Sequence, residues 1–149
     1  MENKIIIPKN CSSITLQFEF EEEKPKSIWG TKYFDYKTIK TYDDAVKARK
    51  VDDEDIIYPT DTPRIVAFKK ICHNVKVING KWTPDWNDSN QCKYYPWFKV
   101  SPSGSGFSVS HCVYDCAGTC VGSRLLTDTK EKALYLGNQF LDLYSKYLL

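Results

Sequence analysis

The groups with the most chemistry to offer in this 149-residue chain are two histidines and six cysteines, and three of the thiols share one short run with a histidine, HCVYDCAGTC. His111, Cys112, Cys116 and Cys120 are all zinc-competent ligands. Their spacing does not suit a knuckle, which wants two close cysteines on a tight turn and a second pair further along. If residues 106–115 form a strand, His111 and Cys112 project to opposite faces and cannot share an ion. Cys116 and Cys120 flank a three-residue turn and could meet across a hairpin as a disulfide. The opening MENKIIIPKN has no secretion-signal pattern, however, so reduced thiols are the expectation for the whole set, Cys11, Cys72 and Cys92 included.

Other reactive constellations are weaker still. Asp85, Asn87 and Ser89 alternate like the start of a calcium loop, but the sixth position is not glycine and Pro96 stands where the bidentate glutamate belongs. His73 follows Cys72 on a helix that buries the thiol and leaves the imidazole on its polar side, with no orienting acid in view. Asp85 and Asp88, three apart in a polar loop, read as a turn before they read as an acid–base pair. No glycine loop for phosphate is present. The expectation is a protein without catalytic residues, metal or cofactor.

What remains is aromatic. Trp82, Trp86, Tyr94, Tyr95 and Trp97 are interleaved with Lys81, Lys93 and Lys99, the ingredients of a surface on which rings stack and cations follow a backbone. Strand alternation sends Tyr95 and Trp97 to one face and Tyr94 and Phe98 to the other, so at least one face must serve the core. Most of these rings are therefore expected to pack. The candidate binding set is Trp82, Asp85, Trp86, Tyr94, Tyr95, Trp97 and Arg124, the last an exposed cation beside the sheet.

The elements that would position this set are legible in outline. Residues 5–7 and 13–20 read as strands, the second with Ile14, Leu16, Phe18 and Phe20 on one face. EEEKPK at 21–26 is a solvated turn, and residues 29–39 are aromatic enough for a further strand. Thr41 caps a helix reaching about residue 50, and the acidic stretch VDDEDIIYPTDT reads as a loop or boundary. Thr62-Pro63 opens a longer helix that buries Ile65, Phe68, Ile71, Cys72, Val75 and Ile78 and ends at Asn79-Gly80. Strands at 93–100, 106–115 and 119–126 follow, joined by turns short enough for hairpins. Asp128 with Glu131 caps one final helix, whose apolar face includes Gly137. The class is α+β: a C-terminal three-stranded antiparallel meander packed by helices, with additional N-terminal strands. One domain over 1–149 is expected, divisible if at all into 1–60 and 61–149.

Composition narrows the partner. A net charge of +2 is too small an excess for a dedicated duplex-DNA binder, and no apolar run approaches the length of a membrane span. A cytoplasmic location is the expectation. The run NGKWTPDWNDSNQCKYYPWF, a Gly/Ser turn and then VGSRLLTDTKEKALYLGNQFLDLYSKYLL resembles a group of small uncharacterised proteins of phages and prophages of gut Bacteroidales. The segment TYDDAVKA is similar to an upstream part of the same group. The resemblance implies a phage-borne accessory protein acting inside a bacterial host, with no activity or cofactor attached to it. Together these readings point to a non-enzymatic binder of a host or phage protein, such as an anti-CRISPR-like defence antagonist, or alternatively to a binder of single-stranded nucleic acid.

Overall fold

Thr62 and Pro63 begin the helix on which the other elements are laid. In the computed structural model, which describes residues 34–101, 106–116 and 125–149, α2 spans Pro63–Asn79. The Thr62 hydroxyl accepts from the Ile65 amide, Pro63 stands in the first turn where an N–H is dispensable, and Gly80 ends the helix at φ 69°. Ile71, Cys72, Val75 and Ile78 form the inner stripe as expected, while Phe68 is half-buried and Ile65, at the start of the helix, is exposed. The opposite flank is buried too, because His73, Asn74 and Val77 have no exposed surface. The expectation of a polar side carrying His73 fails here: α1 (Tyr42–Ala48) and a 3-10 turn at Asp53–Asp55 pack on that flank. Tyr42 sets its ring edge-on to His73 at 5.7 Å.

The capping of α1 follows the sequence. The Thr41 hydroxyl accepts from the Asp44 amide at 3.1 Å, and the Asp44 carboxylate accepts from the Thr41 amide at 2.9 Å. The acidic stretch after α1 is pinned along α2 by two lysines placed two turns apart. Lys76 Nζ donates to Asp52 at 2.9 Å and to Glu54 and Asp55 at 2.6 Å each. Lys69 Nζ donates to Asp61 and to the Ile56 carbonyl, both at 2.7 Å. Burial works against the charge on Lys76, yet the three carboxylates outweigh it and raise the pKa well above the usual lysine range. Burial likewise raises Asp52, and the bonds and charges of Lys76 and Arg49 reverse this to a net lowering.

The sheet has two strands among the described residues, β1 (Lys93–Val100) and β2 (Phe107–Asp115), paired antiparallel. One face is covered by α3 (Lys130–Gln139), while α4 (Leu141–Leu148) lies on α2. Gly137 makes the first contact possible: a Cβ there would stand 2.8 Å from Pro96 Cβ and 2.9 Å from Val109 Cγ2.

Several expectations are corrected. The single final helix is two, broken at the buried Phe140, because one element cannot lie along both the sheet and α2. Its cap is Thr129, whose hydroxyl accepts from the Lys132 amide at 3.3 Å; Asp128 instead pairs with Lys132 at 2.7 Å. The strands expected at 5–7 and 13–20 lie outside the described residues, and the described end of 29–39 is a 3-10 turn at Tyr36–Thr38. The third strand of the meander is not confirmed among the described residues. Most of 119–126 lies outside the described residues, and Leu125 and Leu126 are not strand. Thr127 makes an isolated antiparallel bridge to Tyr94 of β1. Thr127 meets Tyr94 on the edge of β1 away from β2, whereas a meander would place the third strand beside β2.

Two outcomes follow from these buried charges and near-charges. Neither ring nitrogen of His73 has a hydrogen-bond partner among the described residues. Burial pushes its pKa below 6.5, outweighing the charges of Asp55 and Asp52, which raise it. The folded chain therefore holds His73 neutral, and stability is whole above pH 6.5. As the pH falls from there, stability drops by up to about 1.4 kcal/mol per pH unit, and the drop is absent in His73→Gln. Denaturant titrations of both proteins between neutrality and mild acid check this. Lys76→Met takes the ammonium from the buried Asp55 and costs about 3 kcal/mol by the same measurement.

Candidate binding surface

The pairing of β1 with β2 slips once, and the slip decides what the open face presents. Phe98 pairs with Val109, but Trp97 pairs with His111, so Ser110 is an extra residue in β2. Trp97 and His111 are thereby set side by side on the face away from α3, their ring centroids 6.3 Å apart. Tyr95, two residues back on the same face, has its ring 6.5 Å from Trp97. Trp97 is 50% exposed, Tyr95 is half-buried, and His111 and Lys99 are exposed. The reverse face holds Pro96, buried beneath Gly137, and Phe98, whose ring meets Phe107 at 4.9 Å and Tyr144 at 4.7 Å. Alternation across β1 is as the sequence implies.

The remaining candidates divide. Tyr94 is on the helix side: its backbone exchanges two bonds with Thr127, and its ring meets that of Tyr114 at 5.6 Å. The loop at 81–92 closes around Lys93, which is only 2% exposed. Its ammonium donates to the Gln91 carbonyl at 2.8 Å and lies under the Trp86 ring at 5.5 Å. Asp85 is used up locally, its carboxylate accepting from the Asn87 amide at 2.8 Å and its own amide donating to Gln91 Oε1 at 2.6 Å. Trp82 is half-buried at the start of that loop. Arg124 lies outside the described residues. Of the seven candidates, then, the structure joins Tyr95 and Trp97 in one row and adds His111.

The thiols also depart from expectation. Beyond the pair Lys93 and Asp115, the next opposed residues are Cys92 and Cys116, and they form a disulfide across a Cα–Cα distance of 4.4 Å. That distance is what a non-hydrogen-bonded antiparallel pair provides. Cys116 is therefore neither reduced nor bridged to Cys120, which lies outside the described residues. Neither Cys112 nor the buried Cys72 is in a disulfide. Burial pushes the Cys112 thiol up, leaving a poor nucleophile, and it sits on the face opposite His111. The acidic group formed by Asp52, Glu54 and Asp55 has the geometry of a cation site and holds the Lys76 ammonium in that role.

Sequence reasoning missed a second feature, an apolar groove of about 350 Å³ along the edge of β1, lined by Trp97, Phe98, Leu125, Tyr144, Tyr147 and Leu148 among others. Its only sequence signal was the apolar face of the last helix. Comparison of the chain with protein-family models, curated proteins and solved structures found no match. No helix among the described residues is long and apolar enough to cross a membrane.

The disulfide closes a hairpin of sequence separation 24. Cys92→Ser and Cys116→Ser should each cost about 3 kcal/mol of unfolding free energy, and the double variant no more than either. Chemical denaturation without reductant measures all three, and reductant should bring the wild-type chain to the same value.

Proposed function

We propose that this chain is a non-enzymatic binding protein whose partner is another protein, gripped through the Tyr95–Trp97–His111 face of the sheet. The observation that carries the reading is Trp97, half exposed yet fixed on a strand between two other rings. Tryptophan and tyrosine anchors dominate protein interfaces because they bury much area for few rotatable bonds. The setting is the one implied by the resemblance to Bacteroidales phage proteins. There the chain acts as an accessory protein in the host cytoplasm, and an antagonised component of host defence is the partner.

Single-stranded nucleic acid is the second reading, supported by the same rings. Lys93 argues against it. Of the three lysines interleaved with the rings, it is buried against carbonyls and unable to follow a phosphate backbone. The Tyr95 and Trp97 planes also lie 53° apart, a poor match to bases stacked in succession.

Trp97→Ala should leave the melting temperature within a few degrees of wild type and weaken partner binding by roughly 30-fold or more, the loss of a hot spot. Affinity capture with wild-type and variant bait, followed by titration of any partner recovered only by the wild type, measures this. Salt-dependent quenching of Trp97 fluorescence by an oligonucleotide would instead favour the second reading.

A further inference from the structure

Besides His73, α2 carries Arg64, Lys69, Lys70 and Lys76, and three of these four cations meet oxygen. Lys69 and Lys76 are tied to the acidic stretch after α1, and the Arg64 guanidinium donates to the Leu149 carbonyl at 3.0 Å. Lys70 differs. Its ammonium lies over the Tyr42 ring at 5.0 Å, and among the described residues no carboxylate or carbonyl meets it. Helical spacing puts Lys70 on one flank with Pro63, Val66 and Ala67, and that flank borders a pocket of about 270 Å³ against α4. Leu143 and Lys146, three apart on α4, complete its wall. Lys146 is exposed and likewise has no carboxylate partner among the described residues. Asp61 also borders the pocket, but its carboxylate already accepts from the Lys69 ammonium at 2.7 Å and the Tyr58 amide at 2.8 Å. Two unanswered positive charges therefore stand over a floor of Val66, Ala67 and Leu143.

We propose that this pocket binds a small organic acid, its carboxylate held by Lys70 and Lys146 and its apolar body resting on Val66, Ala67 and Leu143. Each half of the lining selects one half of the ligand. A neutral molecule leaves the ammonium groups unanswered, and an inorganic anion leaves the apolar floor uncovered. Lysine suits the task because its flexible stem lets the charge swing from the Tyr42 ring to an arriving carboxylate. The volume holds one ring or a short branched chain, at the small end of ligand sites. The pocket shares no residue with the Tyr95–Trp97–His111 face, so neither proposal stands on the other.

Titration of the full chain with benzoate, followed by amide NMR, tests this. The Val66, Ala67, Lys70, Leu143 and Lys146 amides should shift together and saturate with a Kd on the order of 1 mM, weak because the charges face water. Benzamide has the body without the charge and inorganic phosphate the charge without the body. Each should bind about tenfold more weakly than benzoate. Lys70→Met and Lys146→Met should each weaken benzoate about threefold, and the double variant about tenfold. Lys130→Met, which removes a charge on α3 outside the lining, should change nothing. Shifts that do not saturate by about 20 mM benzoate would overturn the proposal. So would benzamide or phosphate binding as tightly as benzoate, or undiminished affinity in the double variant. If Lys70→Met disturbs the packing of Tyr42, Lys146→Met at its exposed position decides alone, and full benzoate affinity in that variant refutes the site.

Discussion

A hairpin of two strands is too small to hold itself together in water, so its position here depends on how closely one helix can press against one of its faces. That approach is set at Gly137, where the helix backbone comes within side-chain distance of Pro96 and Val109. Once Pro96 is committed inward, alternation commits Tyr95 and Trp97 outward. The extra residue at Ser110 then brings His111, rather than its neighbour, opposite Trp97. The open aromatic row is thus a consequence of packing on the other side of the sheet. A side chain at position 137 would disturb it without touching any ring in the row.

The second constraint is electrostatic. α2 is buried on both flanks, and a helix so enclosed can keep ammonium groups only where carboxylates travel with them. Lys69 and Lys76, two turns apart, recruit opposite ends of the acidic connection and lay it along the helix. Lys93 meets the same problem with carbonyls and the face of Trp86. In each case a charge that composition assigns to the surface organises a loop instead. The acidic stretch is therefore a tied strap along α2, and Trp86 of the 81–92 loop serves a lysine before it can serve a ligand.

The elements themselves were legible because local rules govern them. Thr41 with Asp44, Thr62 with Pro63, and Gly80 each act within one turn, and period-two alternation located β1 and β2 nearly to the residue. What stayed hidden was set by partners far apart in the chain. The burial of His73 needs α1 and the 3-10 turn above it, and nothing on its own helix signals that cover. The break at Phe140 reflects two different surfaces, the sheet and α2, that one helix must serve. The disulfide shows the limit most clearly. A hairpin turning at residues 101–106 with unbroken register would set Cys92 opposite Asp115, and only the bulge at Ser110 moves Cys116 into place. Bulges leave no mark on alternation that a single sequence reveals, so the one bridge weighed for Cys116 was to nearby Cys120, and reduced thiols were the expectation. In the candidate site, Tyr95 and Trp97 were found by type and phase, whereas His111 was weighed only as a zinc-competent group and set aside, and it stands beside Trp97 at the end of the aromatic row.

The disulfide and the proposed cytoplasmic setting are reconciled by asking which interactions fix the register. The pairing of β1 with β2 is held by ladder bonds from Lys93 to Val100, by the bulge, and by the contact of Pro96 and Val109 with α3. None of these needs the sulfurs joined. A reducing compartment would leave two thiols opposite each other at the end of the same hairpin, with less unfolded-state constraint but the same face turned outward. An interface built on few anchors gains most when those anchors are held still before the partner arrives, since the ordering cost is then met by folding. Trp97 satisfies that condition through backbone pairing and ring neighbours on either side, in either redox state.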